Sequence, residues 1–150
     1  MIQFHPIDFG TPEFDQAVRL RHITLRAPLG MEFDPEQLAQ EYDTIHLAGF
    51  TMRGELVAYL NLVPLSDSLV KMRQVAVSPD LQGKGVGAQL VAYSEAYCRT
   101  HGFSKIELNA REAVLEFYLK LKYSKENVLW RLGFPISRWK SALMPFLPST

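Results

Sequence analysis

The chain has 150 residues, 47% of them hydrophobic and 11% aromatic, which is enough apolar material for the core of one ordinary domain. Lys and Arg together number 16, as do Asp and Glu, so the zero net charge excludes a general attraction to nucleic acid or to an anionic membrane. A single cysteine excludes a disulfide framework and a thiolate metal cluster, and no apolar run approaches the roughly 18 residues of a membrane span. We therefore expect a single cytoplasmic domain over residues 1–150.

The chain begins with one predicted strand and two predicted helices. Residues 2–8 alternate between apolar and polar side chains like a strand. Thr11 then supplies an N-cap and Pro12 a first helical residue, which predicts a helix that runs to about Arg26. A second, shorter helix is predicted over residues 34–42, where an aspartate and a proline again mark the start.

Three strands in succession follow these helices, at residues 45–52, 55–64 and 68–77. Arg53-Gly54 is a hairpin-like turn between the first two, so the connections are tight and predict an antiparallel meander. A glycine-rich segment then opens a helix that ends near His101.

The rest of the chain predicts a further strand at residues 104–110, a helix at 112–121 and two strands around 128–132 and 139–146. The predicted order is β, α, α, β, β, β, α, β, α, β, β. This order indicates an α/β (α+β) domain with a mixed sheet and helices on its faces.

Gly83, Gly85 and Gly87 alternate where the helix after the third of these strands is expected to begin. The N-terminus of a helix exposes unbonded N–H groups and the positive end of the dipole, and it binds anions where the backbone can approach. The polar side chain of Gln82 and the cationic side chain of Lys84 are long enough to contact a phosphate bound there. We interpret the segment as a pyrophosphate cradle. A flexible loop whose glycines only permit tight packing is the alternative.

Two other phosphate-binding motifs fit this segment less well. The nucleotide P-loop requires Gly-Lys-Ser or Gly-Lys-Thr, and neither occurs in the chain. The dinucleotide fingerprint is present as Gly83, Gly85 and Ala88, with Glu107 near the place of a ribose-binding acid. However, Ser-Pro-Asp-Leu-Gln separates Val77 from the first glycine, and the chain is too short for a full doubly wound sheet.

The spacing from the strand end to the helix resembles the acetyl-CoA-binding motif of the GCN5-related N-acetyltransferase (GNAT) family. That motif has the form [QR]-x-x-G-x-[GA], which Gln82, Gly85 and Gly87 match in order. Residues 106–123 are similar to the family's next strand, Asn-containing turn and helix with a Phe-Tyr pair. Residues 19–33 resemble the segment between the first two helices in one bacterial subgroup.

The resemblance implies a mostly antiparallel sheet of about six to seven strands, flanked by about four helices. This sheet would be split between the strands ending at Val77 and Asn109, so that the pantetheine arm of acetyl-CoA inserts there and pairs with backbone groups of Val75 and Val77. The implied cofactor-binding residues are Val75, Ala76, Val77, Gln82, Gly83, Lys84, Gly85, Val86, Gly87, Ala88 and Asn109.

The resemblance also implies that Tyr118 donates the proton to the leaving thiolate. A phenol can do so at neutral pH because its ordinary pKa is about 10. Tyr118 also belongs to an apolar stripe with Val114, Phe117 and Leu121, so a core position is the competing interpretation. Asn109 is equally compatible with a hydrogen bond to the cofactor and with an ordinary strand-to-helix turn.

The general base is open between Glu32, Glu41 and Glu107, because residues 71–77 contain no acid. His46 is interpreted as structural, and His22 is as compatible with exposure as with a pocket.

Arg26, Glu32 and Arg73 are the candidate substrate residues. Cys98 is expected in the core, since it follows Val91 by one heptad.

The function that these patterns favour is transfer of the acetyl group of acetyl-CoA to a primary amine, in a ternary complex and without a metal. We expect a small-molecule amine as the acceptor. The alternatives are a catalytically silent CoA-binding module and, less favoured, a dinucleotide-binding domain.

Ile136 stands where the bacterial subgroup has a histidine, so no metal or base role of that histidine carries over. Ile136 and Trp139 would instead narrow the pocket or form a homodimer contact.

Overall fold

The computed structural model of this protein describes residues 1–26, 30, 35–111, 124–130 and 138–145, with the backbone alone for residues 26, 109–111, 124–130 and 138–145. The described residues form two compact units that alternate along the chain. The first consists of Met1–Val63 and Gln74–Ser94, and the second of Pro64–Arg73 and Glu95–Thr150. The expectation of a single acetyltransferase domain over residues 1–150 stays a prediction.

The first unit contains an antiparallel ladder in the order β1-β2-β3, formed by Gln3–Ile7, Ile45–Phe50 and Leu56–Pro64. The register places His46 opposite Asn61 and Ala48 opposite Tyr59. The predicted turn between β2 and β3 is present, and Gly54 occupies it with a φ of +83°, a conformation that glycine adopts without a steric penalty.

Helix α1 spans Pro12–Arg21, and it is capped as predicted because the Thr11 hydroxyl accepts a hydrogen bond of 3.3 Å from the N–H of Phe14. The α-helix ends before Arg26, and His22–Arg26 form a π-helical turn. Thr24 explains part of this departure, since its hydroxyl donates to the carbonyl of Leu20 at 2.8 Å and so competes with the regular helical pattern.

Helix α2 is a single short stretch, Pro35–Ala39, followed by a 3-10 helical turn over Gln40–Asp43. The predicted second helix is therefore present, but its C-terminal half is wound more tightly. This turn matters for the first unit because it carries Glu41, whose partners are described below.

The strand order continues as β4-β5-β7-β6, formed by Leu69–Val77, Lys105–Arg111, Arg138–Pro145 and Ser124–Trp130. The second unit contains β4 only as far as Arg73, and the rest of that strand belongs to the first unit. Strands β4 and β5 are parallel, whereas β7 runs antiparallel to both β5 and β6. The parallel pairing ends at Met72 and Leu108, and β4 continues to Val77. The predicted mixed, mostly antiparallel fold is confirmed.

Helix α3, Val86–Thr100, is the third α-helix among the described residues, and the helix predicted at 112–121 lies outside them. The core of the first unit is formed where α1 meets its strands. Its buried members are Ile7, Ala17, Leu20, Ala48, Phe50, Tyr59 and Ala76.

Candidate functional site

The segment after β4 is a compact turn that belongs entirely to the first unit. The N–H of Ser78 donates to the carbonyl of Val57 at 2.8 Å, which fixes the start of the turn against β3. A 3-10 turn over Pro79–Leu81 follows, and the Ser78 hydroxyl donates to the Asp80 carboxylate at 2.5 Å. That bond is the main cause of a lowered pKa for Asp80, since it stabilises the charged form.

Gln82 closes the turn back onto the strand, because its side-chain Nε2 donates to the carbonyl of Val77 at 3.0 Å. Gly83 and Gly85 follow with φ angles of +78° and +85°. A Cβ at either glycine would meet no atom within 4 Å, so backbone conformation rather than lack of space requires glycine here. The predicted reason for these two glycines, that side chains would obstruct an approaching anion, stays a prediction beside this conformational one.

Helix α3 begins immediately after these glycines, at Val86. Its first hydrogen bond runs from the N–H of Gln89 to the carbonyl of Gly85 at 3.1 Å. The N–H groups of Val86, Gly87 and Ala88 therefore precede the helical ladder and remain available at the positive end of the helix dipole. We refer to residues 82–88 as the cradle.

The cradle fits a diphosphate in its chemistry. Residues 82–85 are exposed, so an anion can reach the start of the helix from solvent. Lys84 is exposed among them and supplies a cation, while successive N–H groups supply the donors that phosphate oxygens require.

Gln74 lies a short distance before the cradle and combines two unusual features. Its φ is +58°, and it is the one non-glycine residue with a positive φ in the part of the chain that the structure describes. Its side-chain Oε1 is buried and has no hydrogen-bond partner. Neither feature could be predicted from the sequence, because a glutamine in an apolar strand is also compatible with an ordinary exposed position.

A second polar region of the first unit is buried, and we call Arg21, Glu41, His46, Tyr59 and Asn61 the buried polar cluster. The Arg21 guanidinium donates to both carboxylate oxygens of Glu41, at 2.9 and 2.8 Å, and it lies over the Tyr59 ring at 5.1 Å. Glu41 was one of three candidate bases. Its carboxylate is committed to this bidentate ion pair, which disfavours that role.

The hydrogen bonds of His46 determine which of its nitrogens carries the proton. Nε2 lies 3.0 Å from the carbonyl of Glu41 and must donate to it, because a carbonyl only accepts. Nδ1 therefore accepts from the Tyr59 hydroxyl at 2.6 Å, and that hydroxyl in turn accepts from Nδ2 of Asn61 at 3.3 Å. Burial of the ring lowers the pKa of His46, so the neutral form is favoured.

The Tyr59 hydroxyl is buried as well, and its burial raises the pKa of Tyr59 well above the ordinary range. Tyr59 therefore keeps its proton and acts as the donor to His46. The interpretation of His46 as a structural residue agrees with this arrangement, in which both ring nitrogens are bonded.

The predicted cofactor residues of the first unit are placed together along one stretch of chain. Val75, Ala76 and Val77 end β4, and Gln82 to Ala88 form the cradle that follows. Asn109 lies in β5 opposite Ser141, with only its backbone described. Tyr118 lies outside the described residues. All of these roles stay predictions.

The substrate candidates are more scattered. Arg26 is the last residue of the π-helical turn and Arg73 is an exposed residue of β4, whereas Glu32 lies outside the described residues. Glu107, the remaining base candidate, is a half-buried residue of β5. None of these positions tests the predicted roles.

Cys98 is fully buried, and burial raises the pKa of its thiol to about 12, so the expectation of a core residue rather than a nucleophile agrees with the structure.

Over residues 1–26, 30 and 35–108, with the described strands beyond, no three His, Cys, Asp or Glu side chains group in a way that could hold a metal ion. Within the same part of the chain, no helix has the length and hydropathy to cross a membrane.

A family model described as the acetyltransferase (GNAT) family matches residues 14–123. The chain belongs to the GNAT acetyltransferase family. The match covers α1 from Phe14 onward, the cradle and the segment around Tyr118. It confirms the resemblance that the cradle motif indicated, and it decides against the dinucleotide-binding alternative.

Solved structures of other GNAT proteins have the same fold. An aminoglycoside 6'-N-acetyltransferase complexed with coenzyme A is 19% identical, with a TM-score of 0.82 and 99% of each chain covered. Aminoglycoside 6'-acetyltransferase type Ii is 21% identical, with a TM-score of 0.79 and 99% of each chain covered. A GNAT family acetyltransferase from Elizabethkingia anophelis with acetyl-CoA bound is 17% identical, with a TM-score of 0.72, covering 97% of this chain and 98% of that one.

The GNAT assignment confirms the predicted class of enzyme, an N-acetyltransferase within the acyltransferases. Acetyl-CoA is the co-substrate of GNAT enzymes and hence the acyl donor. The acceptor is a separate question, because structural likeness at these identities extends to the fold alone.

Proposed function

We propose that this GNAT enzyme acetylates the primary amine of a small molecule, by direct transfer in a ternary complex of enzyme, acetyl-CoA and amine. The observation that carries the proposal is the cradle, where two glycines with positive φ lead into the unbonded N–H groups of Val86, Gly87 and Ala88. The aminoglycoside acetyltransferases among the structural relatives favour a small-molecule acceptor.

In this proposal the cradle binds the diphosphate of acetyl-CoA, and the backbone of Val75 and Val77 pairs with the amides of the pantetheine arm. The bond from Gln82 to the carbonyl of Val77 is compatible with that pairing, since a carbonyl oxygen has two lone pairs and can accept a second N–H. Gln82 would thereby link the diphosphate end of the ligand to the strand that holds its arm.

The proposed reaction joins the amine nitrogen to the acetyl carbon and breaks the bond between that carbon and sulfur. The amine must be neutral to attack, and it loses one proton as the amide forms. The sulfur takes up a proton and leaves as the free thiol of coenzyme A. We propose Tyr118 as the donor of that proton. Of the base candidates, Glu32 and Glu107 remain, because Arg21 holds the carboxylate of Glu41.

The first experiment is calorimetric titration of the whole protein with acetyl-CoA, with NAD and ATP as controls. Selective binding of acetyl-CoA with micromolar affinity supports the proposal, and thiol release is then measured with a panel of primary amines that includes aminoglycosides. Binding without thiol release from any amine would favour the catalytically silent module instead. Binding of NAD in place of acetyl-CoA would contradict the cradle assignment.

Gly85→Glu tests the cradle directly, because it places a carboxylate where the diphosphate is proposed to bind. Charge repulsion of this kind, partly screened by solvent, should weaken acetyl-CoA binding by about 10- to 100-fold. Gly54→Glu is the matched control, since Gly54 also has a positive φ and open space around a Cβ, but lies in the turn between β2 and β3. Equal affinities for the two variants would contradict the assignment.

We also propose that the tail residues Ile136 and Trp139 contribute to a contact between two copies of the chain. Sedimentation velocity of the wild-type protein and of Trp139→Ala would show whether a dimer exists and whether the tail supports it.

A further inference from the structure

The side chain of Gln82 points in a direction that its place in the motif does not predict. The sequence predicts a contact with phosphate, whereas in the structure Nε2 of Gln82 donates to the carbonyl of Val77 at 3.0 Å. Gln82 is exposed, so water competes for this amide and the bond adds little to the stability of the fold. Its significance lies in the two parts of the chain that it joins.

The bond connects the last residue of β4, Val77, to the first residue of the cradle. The turn between them is anchored firmly at its start, where the N–H of Ser78 donates to the carbonyl of Val57 at 2.8 Å. At its end, the backbone N–H of Gln82 lies 3.4 Å from the carbonyl of Pro79, longer than the usual length of about 2.9 Å. The side chain of Gln82 therefore reinforces the end of the turn that the backbone holds less tightly.

The residues after Gln82 do not fix the front of the cradle by themselves. Gly83 and Gly85 are exposed, and glycine has the least restricted backbone of all residues. Beyond them the start of α3 is held by the core, since Val86 and Leu90 are buried. The bond from Gln82 to Val77 therefore sets the spacing between the end of β4 and the front of the cradle.

We propose that Gln82 is a positioning residue that favours ligands spanning both β4 and the cradle over ligands that occupy the cradle alone. This inference rests on the proposed function, in which the pantetheine arm lies along Val75 and Val77 and the diphosphate lies in the cradle. Acetyl-CoA then contacts both parts, whereas a nucleoside diphosphate such as ADP contacts the cradle only. A ligand held at two places binds more tightly when their spacing is already fixed, and a ligand held at one place gains nothing from it.

Direct contact with phosphate is the competing role for this side chain. Nε2 has a second N–H, and that group could donate to a diphosphate oxygen while the first remains bonded to Val77. The two roles predict different patterns of affinity. A direct contact strengthens acetyl-CoA and ADP alike, because both contain a diphosphate, whereas a fixed spacing strengthens acetyl-CoA alone.

Gln82→Met tests these roles because methionine has a similar length and no N–H donor. We expect the acetyl-CoA Kd, measured by calorimetry, to rise about three- to tenfold, as for the loss of one hydrogen bond, and the ADP Kd, measured by competition with acetyl-CoA, to stay within about twofold. The melting temperature should match wild type, since the lost bond is exposed. Gln3→Met, at an exposed position of β1, is the control and should change neither affinity.

The remaining outcomes contradict the inference in distinguishable ways. Equal weakening of acetyl-CoA and ADP in Gln82→Met would assign the side chain to the diphosphate and overturn the positioning role. Unchanged affinities for both ligands, with or without a lower melting temperature, would overturn it while leaving the proposed function intact. A wild-type protein that does not bind acetyl-CoA more tightly than ADP would remove the inference and the cradle assignment together.

Discussion

The cradle and the buried polar cluster belong to the same compact unit and organise polar groups in opposite ways. The cradle combines exposed residues from Gln82 to Gly85 with the N–H groups of the first helical residues, which precede the helical ladder. The cluster bonds side chains to one another in the interior, where Arg21, Tyr59 and His46 are each at most 2% exposed. One region is open to a ligand, and the other has most of its partners within the protein.

This difference indicates a division between binding and stability. Backbone groups at the start of α3 are fixed by the helix itself, so the cradle is ready for an anion without further rearrangement. The cluster joins α1, the 3-10 turn and strands β2 and β3, and removal of one member leaves others buried without partners. Substitutions in the cluster should therefore lower the free energy of unfolding. Substitutions in the cradle should instead weaken the affinity for acetyl-CoA.

Arg21→Met is the strongest expected disruption of the cluster. It leaves the Glu41 carboxylate without its ion-pair partner, and Arg21 and Glu41 have side chains only 1% and 18% exposed. Because one partner of a largely buried pair is lost, we expect the free energy of unfolding to fall by about 3 kcal/mol. Urea unfolding of the ligand-free protein measures this change, and acetyl-CoA titration should give an unchanged Kd for the folded variant.

The controls for Arg21→Met test whether the lost partner is the cause. Arg53→Met changes an exposed arginine in the turn between β2 and β3, and its effect should stay within about 0.5 kcal/mol. Adding Glu41→Gln to Arg21→Met removes the unpaired charge and should restore part of the loss. A double variant no more stable than Arg21→Met would contradict the ion-pair explanation.

Tyr118→Phe adds a third kind of variant to the comparison, one that we expect to change the reaction rate alone and to leave stability and acetyl-CoA binding unchanged. Loss of a general acid typically lowers the rate by 10²-fold or more, so we expect kcat for the best amine to fall about 100-fold. The acetyl-CoA Kd and the urea midpoint should match wild type. A lower urea midpoint with unchanged kcat would instead support the core interpretation of Tyr118.

The two regions also differ in how well the sequence predicted them. The cradle is a local feature, since its strand end, its glycines and the start of its helix are consecutive, and a short motif sufficed to find it. The cluster depends on pairs 20 and 13 residues apart, Arg21 with Glu41 and His46 with Tyr59, which no local pattern links. The sequence accordingly left Glu41 among the candidate bases.

The secondary structure shows the same limit. Six of the seven strands and the N-cap at Thr11 follow from local patterns and were predicted closely. The exception is β6, Ser124–Trp130, which begins four residues before the strand predicted around 128–132. The π-helical turn at His22–Arg26 was not predicted, because the apolar period of α1 continues through it. The hydrogen bond from Thr24 to Leu20, which contributes to the turn, is not visible in that apolar pattern. The strain at Gln74 was equally hidden, since φ at a single strand residue leaves no mark on the pattern of side chains.

The smallest expected effect concerns the dependence of stability on pH. The pKa of His46 is lowered from its ordinary value of 6.5 in the folded protein, mainly by burial, with the Arg21 charge acting in the same direction and the Glu41 carbonyl and carboxylate opposing it. The unfolded chain therefore binds a proton below pH 6.5 that the folded chain resists, so stability falls as the pH drops through that value toward the folded pKa. One group contributes at most about 1.4 kcal/mol per pH unit.

Urea midpoints at several pH values between 5 and 8 would measure this contribution. Most carboxylates have ordinary pKa values below this pH range, so they contribute little to the change. His46→Gln should flatten the decline below pH 6.5, although its stability at neutral pH will be lower because Tyr59 loses its acceptor. His101→Gln, at an exposed position after α3, should keep the wild-type slope. If His46→Gln retained that slope as well, His46 would not be the source of the acid sensitivity. Its burial in the neutral form would then contribute nothing measurable to the pH dependence of the free energy of unfolding.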